Sequence, residues 1–122
     1  MTFVTAGSSR SQLEKLTQFL VFSFPGSTIY QHTDLLRVPH DVLTYKVNFV
    51  LMEAEVGETG SLDLMQKLHR QKPELPVYII SRNNDVCEKA AEAGANGYFV
   101  LPGDEQRLLE AMRLTANKAN VL

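Results

Sequence analysis

A carboxylate directly follows the most apolar strand-like run in the chain. The run "NFVLM" covers residues 48–52, and Glu53 comes next. An ionised carboxylate is costly to bury without a partner. Glu53 is therefore expected either at the mouth of a cleft or in a buried pair.

The turn "TAGSSR" (5–10) has the composition of an anion-binding turn. It joins a short strand-like run to a helical pattern, and free amides at a helix N-terminus attract anions. Gly7, Ser8, Ser9 and Arg10 are the candidate residues. The favoured alternative is that Ser8 or Ser9 simply caps the first helix. The spacing of a P-loop or of a dinucleotide-binding motif is absent from the sequence.

Other reactive residue types lack the neighbours that catalysis needs. Cys87 has no His or Asp at a motif spacing beside it, so a buried structural thiol is expected. No histidine is placed to activate Ser81, which argues against hydrolase chemistry. The histidines lie on different elements without metal-ligand spacing and are expected at the surface; they are His32, His40 and His69. No catalytic residue and no enzymatic activity are predicted.

Composition excludes several classes of function. The chain has 122 residues, 44% of them hydrophobic and 21% charged, which is typical of one globular domain spanning 1–122. A net charge of −2 argues against direct nucleic-acid binding. A single cysteine cannot form an internal disulfide, so a reducing cytoplasm is expected. No signal peptide and no membrane-spanning run is evident, and no membrane association is expected.

Hydrophobic periodicity alternates between strand and helix along the chain. The predicted strands are 2–5, 27–32, 48–52, 76–81 and 97–100. The predicted helices are 11–24, 34–46, 61–73, 84–95 and 104–120. The second helix is the weakest, because Pro39 either breaks it or opens a short one at His40. Residues 115–122 become polar and are expected to be a free tail or the stub of a linker.

This alternation predicts an α/β fold, a parallel sheet covered by helices on both faces. In such a sheet, ligands bind beyond the carboxyl ends of the strands. The residues expected there are Thr5, Ala6, Gly7, Glu53, Ala54, Ser81, Arg82, Leu101 and Pro102. Glu53 is therefore expected at the mouth of a cleft.

Several of these segments resemble response regulator receiver domains. "NFVLMEAEV" resembles the third strand that carries the phospho-accepting aspartate, and "PVYIIS" the fourth strand, which ends in a hydroxyl residue. "EAGANGYFVLPG" resembles the segment that ends in lysine and proline, and "FPGSTIYQHTD" the second strand. The resemblance implies a flavodoxin-like three-layer αβα sandwich with strand order 2-1-3-4-5.

The chain departs from this family where the chemistry lies. Ala6 and Gly7 replace the acidic pair that holds Mg²⁺, Glu53 replaces the aspartate, and Leu101 replaces the lysine. Ser81 is kept at the hydroxyl position, and Tyr98 stands at the aromatic position linked to activation. The resemblance thus implies a degenerate receiver that needs no Mg²⁺ or other cofactor and does not accept phosphate.

Two interpretations of Glu53 stay open. It is either a fixed stand-in for phospho-aspartate, accepting hydrogen bonds from Ser81 and backbone amides, or a product of drift after the chemistry was lost. A mimic of this kind would lack the dianionic charge of a phosphate.

The resemblance also implies an interaction surface on the fourth helix, fifth strand and fifth helix. Its residues here are Glu88, Glu92, Tyr98, Arg107, Glu110 and Arg113. The alternative is an ordinary solvated face of mixed charge.

The predicted function is a receiver-like module of a bacterial two-component or phosphorelay system that acts by phosphorylation-independent contacts, as in transcription regulation. The expected partners are another receiver, a histidine kinase, an output domain or a second copy in a homodimer. A receiver still regulated by phosphorylation is one alternative. Another is a module that binds a small anion or metabolite through Gly7, Ser8, Arg10, Ser81 and Arg82.

Overall fold

The fold was analysed in a computed structural model of the chain. The structure describes residues 1–54 and 60–121, with side chains up to residue 116. Residues 55–59 lie outside the described residues.

Strands and helices alternate throughout the described residues, as the hydrophobic pattern predicts. The strands are β1 (Thr2–Ala6), β2 (Thr28–His32), β3 (Phe49–Glu53), β4 (Val77–Ser81) and β5 (Gly97–Val100). The helices are α1 (Arg10–Ser23), α2 (Val38–Thr44), α3 (Gly60–Gln71), α4 (Asn84–Glu92) and α5 (Glu105–Val121). A 3₁₀-helix, Leu35–Arg37, precedes α2.

The strands form one parallel sheet in the order β2-β1-β3-β4-β5. This confirms the α/β class and the strand order implied by the resemblance. The register pairs Ala6 with Met52 and Ser81 with Val100, so the carboxyl ends of neighbouring strands meet at one edge of the sheet.

Two hydrophobic clusters cover the two faces of the sheet and give the three-layer αβα sandwich. One cluster joins the strands to α2, α3 and α4 through buried residues such as Val42, Met65 and Ala90. The other joins them to α1 and α5 through residues such as Leu16 and Leu108. Burial of these apolar side chains is the main contribution to the stability of the fold. It also anchors α1 and α5, the two helices that border the cleft described below.

Element boundaries differ from the prediction mainly by one or two residues. Ala6 and Glu53 are the last residues of β1 and β3 rather than the first residues after them. Pro39 lies in the first turn of the short α2, where its missing N–H costs nothing. The backbone of α5 remains helical as far as Val121, through most of the expected tail.

The prediction for the histidines was correct only for His40, which is exposed. His32 ends β2 and contacts the buried carboxylate of Asp41 on α2, with only 18% of its side chain exposed. His69 is half-buried and bonds Asn96 Oδ1 at 2.8 Å. Cys87 is fully buried, so the expectation of a structural thiol is confirmed.

Candidate functional site

A cavity of about 660 Å³ opens at the carboxyl ends of β3, β4 and β5. Glu53 and Ser81 line it from the sheet, and both are largely buried, with 9% and 6% of their surface exposed. The remaining lining residues come from α1, from β4, from the turns after β3, β4 and β5, and from the first residue of α5. They are Gln12, Lys15, Leu16, Phe19, Ala54, Ile80, Arg82, Asn83, Leu101, Pro102 and Glu105. Glu53 therefore lies at a cleft, as its place in the sequence predicts.

The turn after β4 fixes the position of the Ser81 hydroxyl. Ser81 Oγ accepts a hydrogen bond from the Asn83 backbone N–H at 3.0 Å. Asn83 in turn caps α4, because its Oδ1 accepts from the N–H groups of Asp85 and Val86 at 2.9 and 3.2 Å. The Ser81 hydroxyl keeps its own proton to donate. The hydrogen bond from Ser81 to Glu53 stays a prediction.

The end of β1 is packed closely against Glu53. Gly7 is buried, and its N–H donates to His32 O at 3.2 Å. A Cβ atom added to Gly7 would lie 2.9 Å from Glu53 Cβ and 3.4 Å from Leu13 Cδ2. Contacts as short as 2.9 Å essentially never occur for a real Cβ atom. Any side chain at position 7 therefore requires the backbone to shift.

The donor set at the end of β1 does not suit Mg²⁺, which binds proteins through carboxylate oxygens. Ala6 and Gly7 offer no side-chain oxygen. Within residues 1–54 and 60–121, no group of three or more His, Cys, Asp or Glu side chains is placed to hold a metal ion. On these residues a resident Mg²⁺ does not fit.

The turn "TAGSSR" uses one of its serines as a helix cap. Ser9 is the N-cap of α1, and its Oγ accepts from Gln12 N–H at 3.4 Å. Arg10 is exposed, with Nε 4.0 Å from Glu14 Oε1. The cavity-lining residues that the structure describes include none from Gly7 to Arg10. The capping alternative is confirmed, and anion binding by this turn stays a prediction.

The turn after β5 gives the cleft an apolar wall. The Leu101 N–H donates to Ser81 O at 3.0 Å. Its side chain lines the cavity and packs against the cluster on the α1 and α5 face. The cleft therefore has a hydrocarbon wall on the side of β5.

All six residues of the predicted interaction surface are exposed. Tyr98 has 37% of its surface accessible and lies on the edge strand β5. The Arg107 guanidinium lies 5.7 Å from the centre of the Phe99 ring, and its Nη1 lies 3.3 Å from Asp104 Oδ2. Leu114, on the same helix, is 63% exposed. The geometry is compatible with an interaction surface, whose use stays a prediction.

Two buried side chains, Tyr78 on β4 and Cys87 on α4, have raised pKa values. Burial raises the pKa of Cys87, and the Asp104 carboxylate raises it further. Burial also raises the pKa of Tyr78, against a smaller lowering effect of its hydrogen bond with Thr115. Both groups therefore stay neutral at physiological pH and belong to the packing of the domain.

Sequence reasoning missed the contribution of α1 to the cleft. Gln12, Lys15, Leu16 and Phe19 form one wall of the cavity. The helical pattern correctly places Leu13, Leu16 and Leu20 in the core. It gives no signal that the side chains flanking this core face border a cavity with residues about 90 positions away.

The comparisons with known proteins agree on one family. The family model for the response regulator receiver domain matches residues 8–113. A comparison with curated protein sequences finds no match. None of the helices formed by the described residues is long and apolar enough to cross a membrane.

Several solved structures share the fold. A response regulator receiver domain protein from Clostridium thermocellum is 16% identical with a TM-score of 0.79, covering 98% of this chain and 97% of that one. A signal receiver domain of an HD domain-containing protein from Pseudomonas fluorescens is 20% identical with a TM-score of 0.80, covering 99% and 98%. A LuxR family DNA-binding response regulator from Silicibacter pomeroyi is 21% identical with a TM-score of 0.74, covering 97% and 93%.

The fold and the position of the cleft agree with the family match, which spans most of the chain. The chain belongs to the response regulator receiver domain family.

Proposed function

We propose that this receiver domain signals through protein contacts that do not depend on phosphorylation, in a cytoplasmic bacterial two-component or phosphorelay pathway. The observation that carries the proposal is the close approach of Gly7 to Glu53. A side chain at position 7 would have to displace Glu53 or its neighbours, and Gly7 itself supplies no carboxylate. We take residues 1–122 as a single domain.

Loss of phosphoryl chemistry follows from what the residues can supply. Transfer to a carboxylate needs a metal ion and a cation that neutralise charge on the phosphoryl group. Ala6 and Gly7 give no ligand for the metal, and Leu101 gives no cation. Each loss of a charge-stabilising group costs roughly 10² to 10³ in rate. The domain is accordingly not an enzyme, and phosphorylation is the less supported alternative.

Glu53 then serves as a permanent substitute for a phosphorylated aspartate. Its largely buried side chain lies beside Ser81 in the same cavity. A carboxylate held near the switch hydroxyl holds the domain in one signalling state. Drift remains the competing interpretation, because glutamate carries less charge than an aspartyl-phosphate.

The surface of α4, β5 and α5 is proposed to contact the partner. Exposed Glu88 and Glu92 lie on α4, and exposed Arg107 and Arg113 lie on α5. Opposite charges on the two helices that contact the edge strand β5 favour specific pairing with a complementary surface. The partner is another receiver, a histidine kinase, an output domain such as a transcription regulator, or a second copy in a homodimer.

The test is exposure to a phosphoryl donor. The domain is incubated with acetyl phosphate and Mg²⁺, and its intact mass is measured beside that of a receiver with a complete acidic site. We expect no phosphoryl adduct on this domain, on its Glu53→Gln variant or on its Leu101→Lys variant, while the control receiver is modified. An adduct on the natural domain that Glu53→Gln abolishes would show that the site still accepts phosphate.

A small-ligand module is the second candidate function, and the cavity favours it. Its volume lies within the range typical of ligand pockets. Of the residues predicted to bind an anion or metabolite, Ser81 and Arg82 line it.

A further inference from the structure

The charged groups of the cavity are separated by depth. Glu53 and Ser81 are buried at its floor. Lys15 and Arg82 are exposed and lie at its rim. Glu105, also at the cavity, accepts a hydrogen bond from Gly103 N–H, so its carboxylate is engaged within its own turn. The floor therefore favours a hydrogen-bond donor or a cation, and the rim favours an anion.

Between floor and rim the cavity is apolar. Leu16 and Phe19 line it from α1, Ile80 from β4, and Leu101 from the turn after β5. These side chains would remove the hydrocarbon part of a bound ligand from water. A lysine in place of Leu101 would put an ammonium group into this wall and reduce the space for an apolar ligand.

We propose that the cavity binds a small zwitterion with an apolar side chain, of which a free apolar amino acid is the simplest. The ligand's ammonium group donates to the Glu53 carboxylate and lies near Ser81. Its carboxylate faces Lys15 and Arg82. Its side chain packs on Phe19 and Leu101. A plain anion fits less well, because the buried carboxylate of Glu53 repels it. The ligand would regulate the same domain whose contacts are proposed above.

This inference adds a regulator to the proposed function, and the two can fail separately. Formation of a phosphoryl adduct would overturn phosphorylation-independent signalling and leave ligand binding intact. Absence of amino-acid binding would overturn the ligand and leave phosphorylation-independent signalling intact.

The test is an NMR titration of the labelled domain with leucine and phenylalanine. Leucinamide, which lacks the carboxylate, and N-acetyl-leucine, which lacks the ammonium group, are matched control ligands. We expect saturable shifts at Lys15, Ser81 and Leu101 with at least one of the two amino acids. Each control ligand should bind at least tenfold more weakly, since a charge-assisted hydrogen bond is lost.

Variants separate this site from non-specific binding. Glu53→Gln preserves the shape of the side chain and should weaken leucine or phenylalanine binding about tenfold or more. Leu101→Lys should weaken it as well, whereas Lys67→Ala, at an exposed position of α3 outside the cavity lining, should leave it unchanged. The proposal is overturned by the absence of saturable shifts with both amino acids. It is equally overturned if N-acetyl-leucine binds as tightly as leucine, or if Glu53→Gln has no effect.

Discussion

The two halves of the strand-end edge have opposite packing. Where β1 meets β3, Gly7 approaches Glu53 so closely that an added Cβ would lie 2.9 Å from Glu53 Cβ. Where β3, β4 and β5 end, the edge opens into a cavity of about 660 Å³. The half between β1 and β3 is thus closed by close backbone packing, while the half from β3 to β5 is open, with Leu101 in its apolar wall and Ser81 at its floor.

Adding one methyl group to the closed half should have the largest effect on stability. Gly7→Ala is expected to lower the free energy of unfolding by about 1–3 kcal/mol, because the new Cβ overpacks against Glu53 and Leu13. Urea denaturation of the two proteins measures this difference. The matched control is Gly60→Ala at the start of α3, where, among the described residues, the Cβ meets Leu35 Cδ1 at 3.5 Å. Equal changes in the two variants would refute close packing at Gly7.

Removing the hydroxyl of the open half should have a smaller effect. Ser81→Ala deletes the acceptor for Asn83 N–H and should cost about 0.5–1.5 kcal/mol of unfolding free energy. The control is Thr44→Ala, at an exposed position of α2. It should change the free energy of unfolding by less than about 0.5 kcal/mol. A neutral Ser81→Ala variant would mean that the turn after β4 does not depend on this hydrogen bond.

Placing a lysine at position 101 should change stability least. Leu101 is half-buried, and a lysine can lay its hydrocarbon stem along the same wall with its ammonium group at the cleft. Leu101→Lys is therefore expected to alter the unfolding free energy by less than about 1 kcal/mol. It should not restore Mg²⁺ binding, since Ala6 and Gly7 still supply no ligand. Saturable Mg²⁺ shifts in NMR spectra of this variant would contradict that expectation.

Cys87, on α4, lies in the packed interior near the open half of the edge. Cys87 is fully buried, and its Sγ lies 3.6 Å from Phe99 O. Its raised pKa means that the unfolded chain loses the thiol proton first as the pH rises. The contribution of Cys87 to the free energy of unfolding is complete at pH values below the pKa of the thiol in the unfolded chain. It declines as the pH rises towards the pKa of the thiol in the folded protein. We expect the thiol to react rapidly with a disulfide reagent only in denaturant. Rapid reaction of the native protein would show that the packing around Cys87 opens.

Sequence patterns predicted the fold more fully than the site. Runs such as 48–52 and 76–81 are apolar and rich in strand-forming residues, so the strands and their parallel arrangement follow from local composition. The cap at Ser9 and the helix start near Pro39 follow from local rules as well. Glu53 and Ser81 were placed correctly at the cleft because both end buried strands.

Contacts between distant segments could not be predicted in the same way. The approach of Gly7 to Glu53 depends on the spacing of β1 and β3, which no local pattern encodes. The pair of His32 and Asp41 joins β2 to α2, and the sequence alone suggested a surface histidine. Lys15 and Phe19 have the ordinary spacing of residues that flank a core helix face. Their role at the cavity arises only when α1 packs beside the turn after β5.

We propose that the edge where β1 meets β3 does not hold a metal ion and a phosphoryl group. The most direct test is an NMR titration of the domain with Mg²⁺ and then with beryllofluoride, which imitates a phosphoryl group. The account predicts no saturable shifts at Gly7, Glu53 or Ser81 with either addition. Saturable shifts at these residues would show that the cleft still forms a phosphorylation site and would contradict the account.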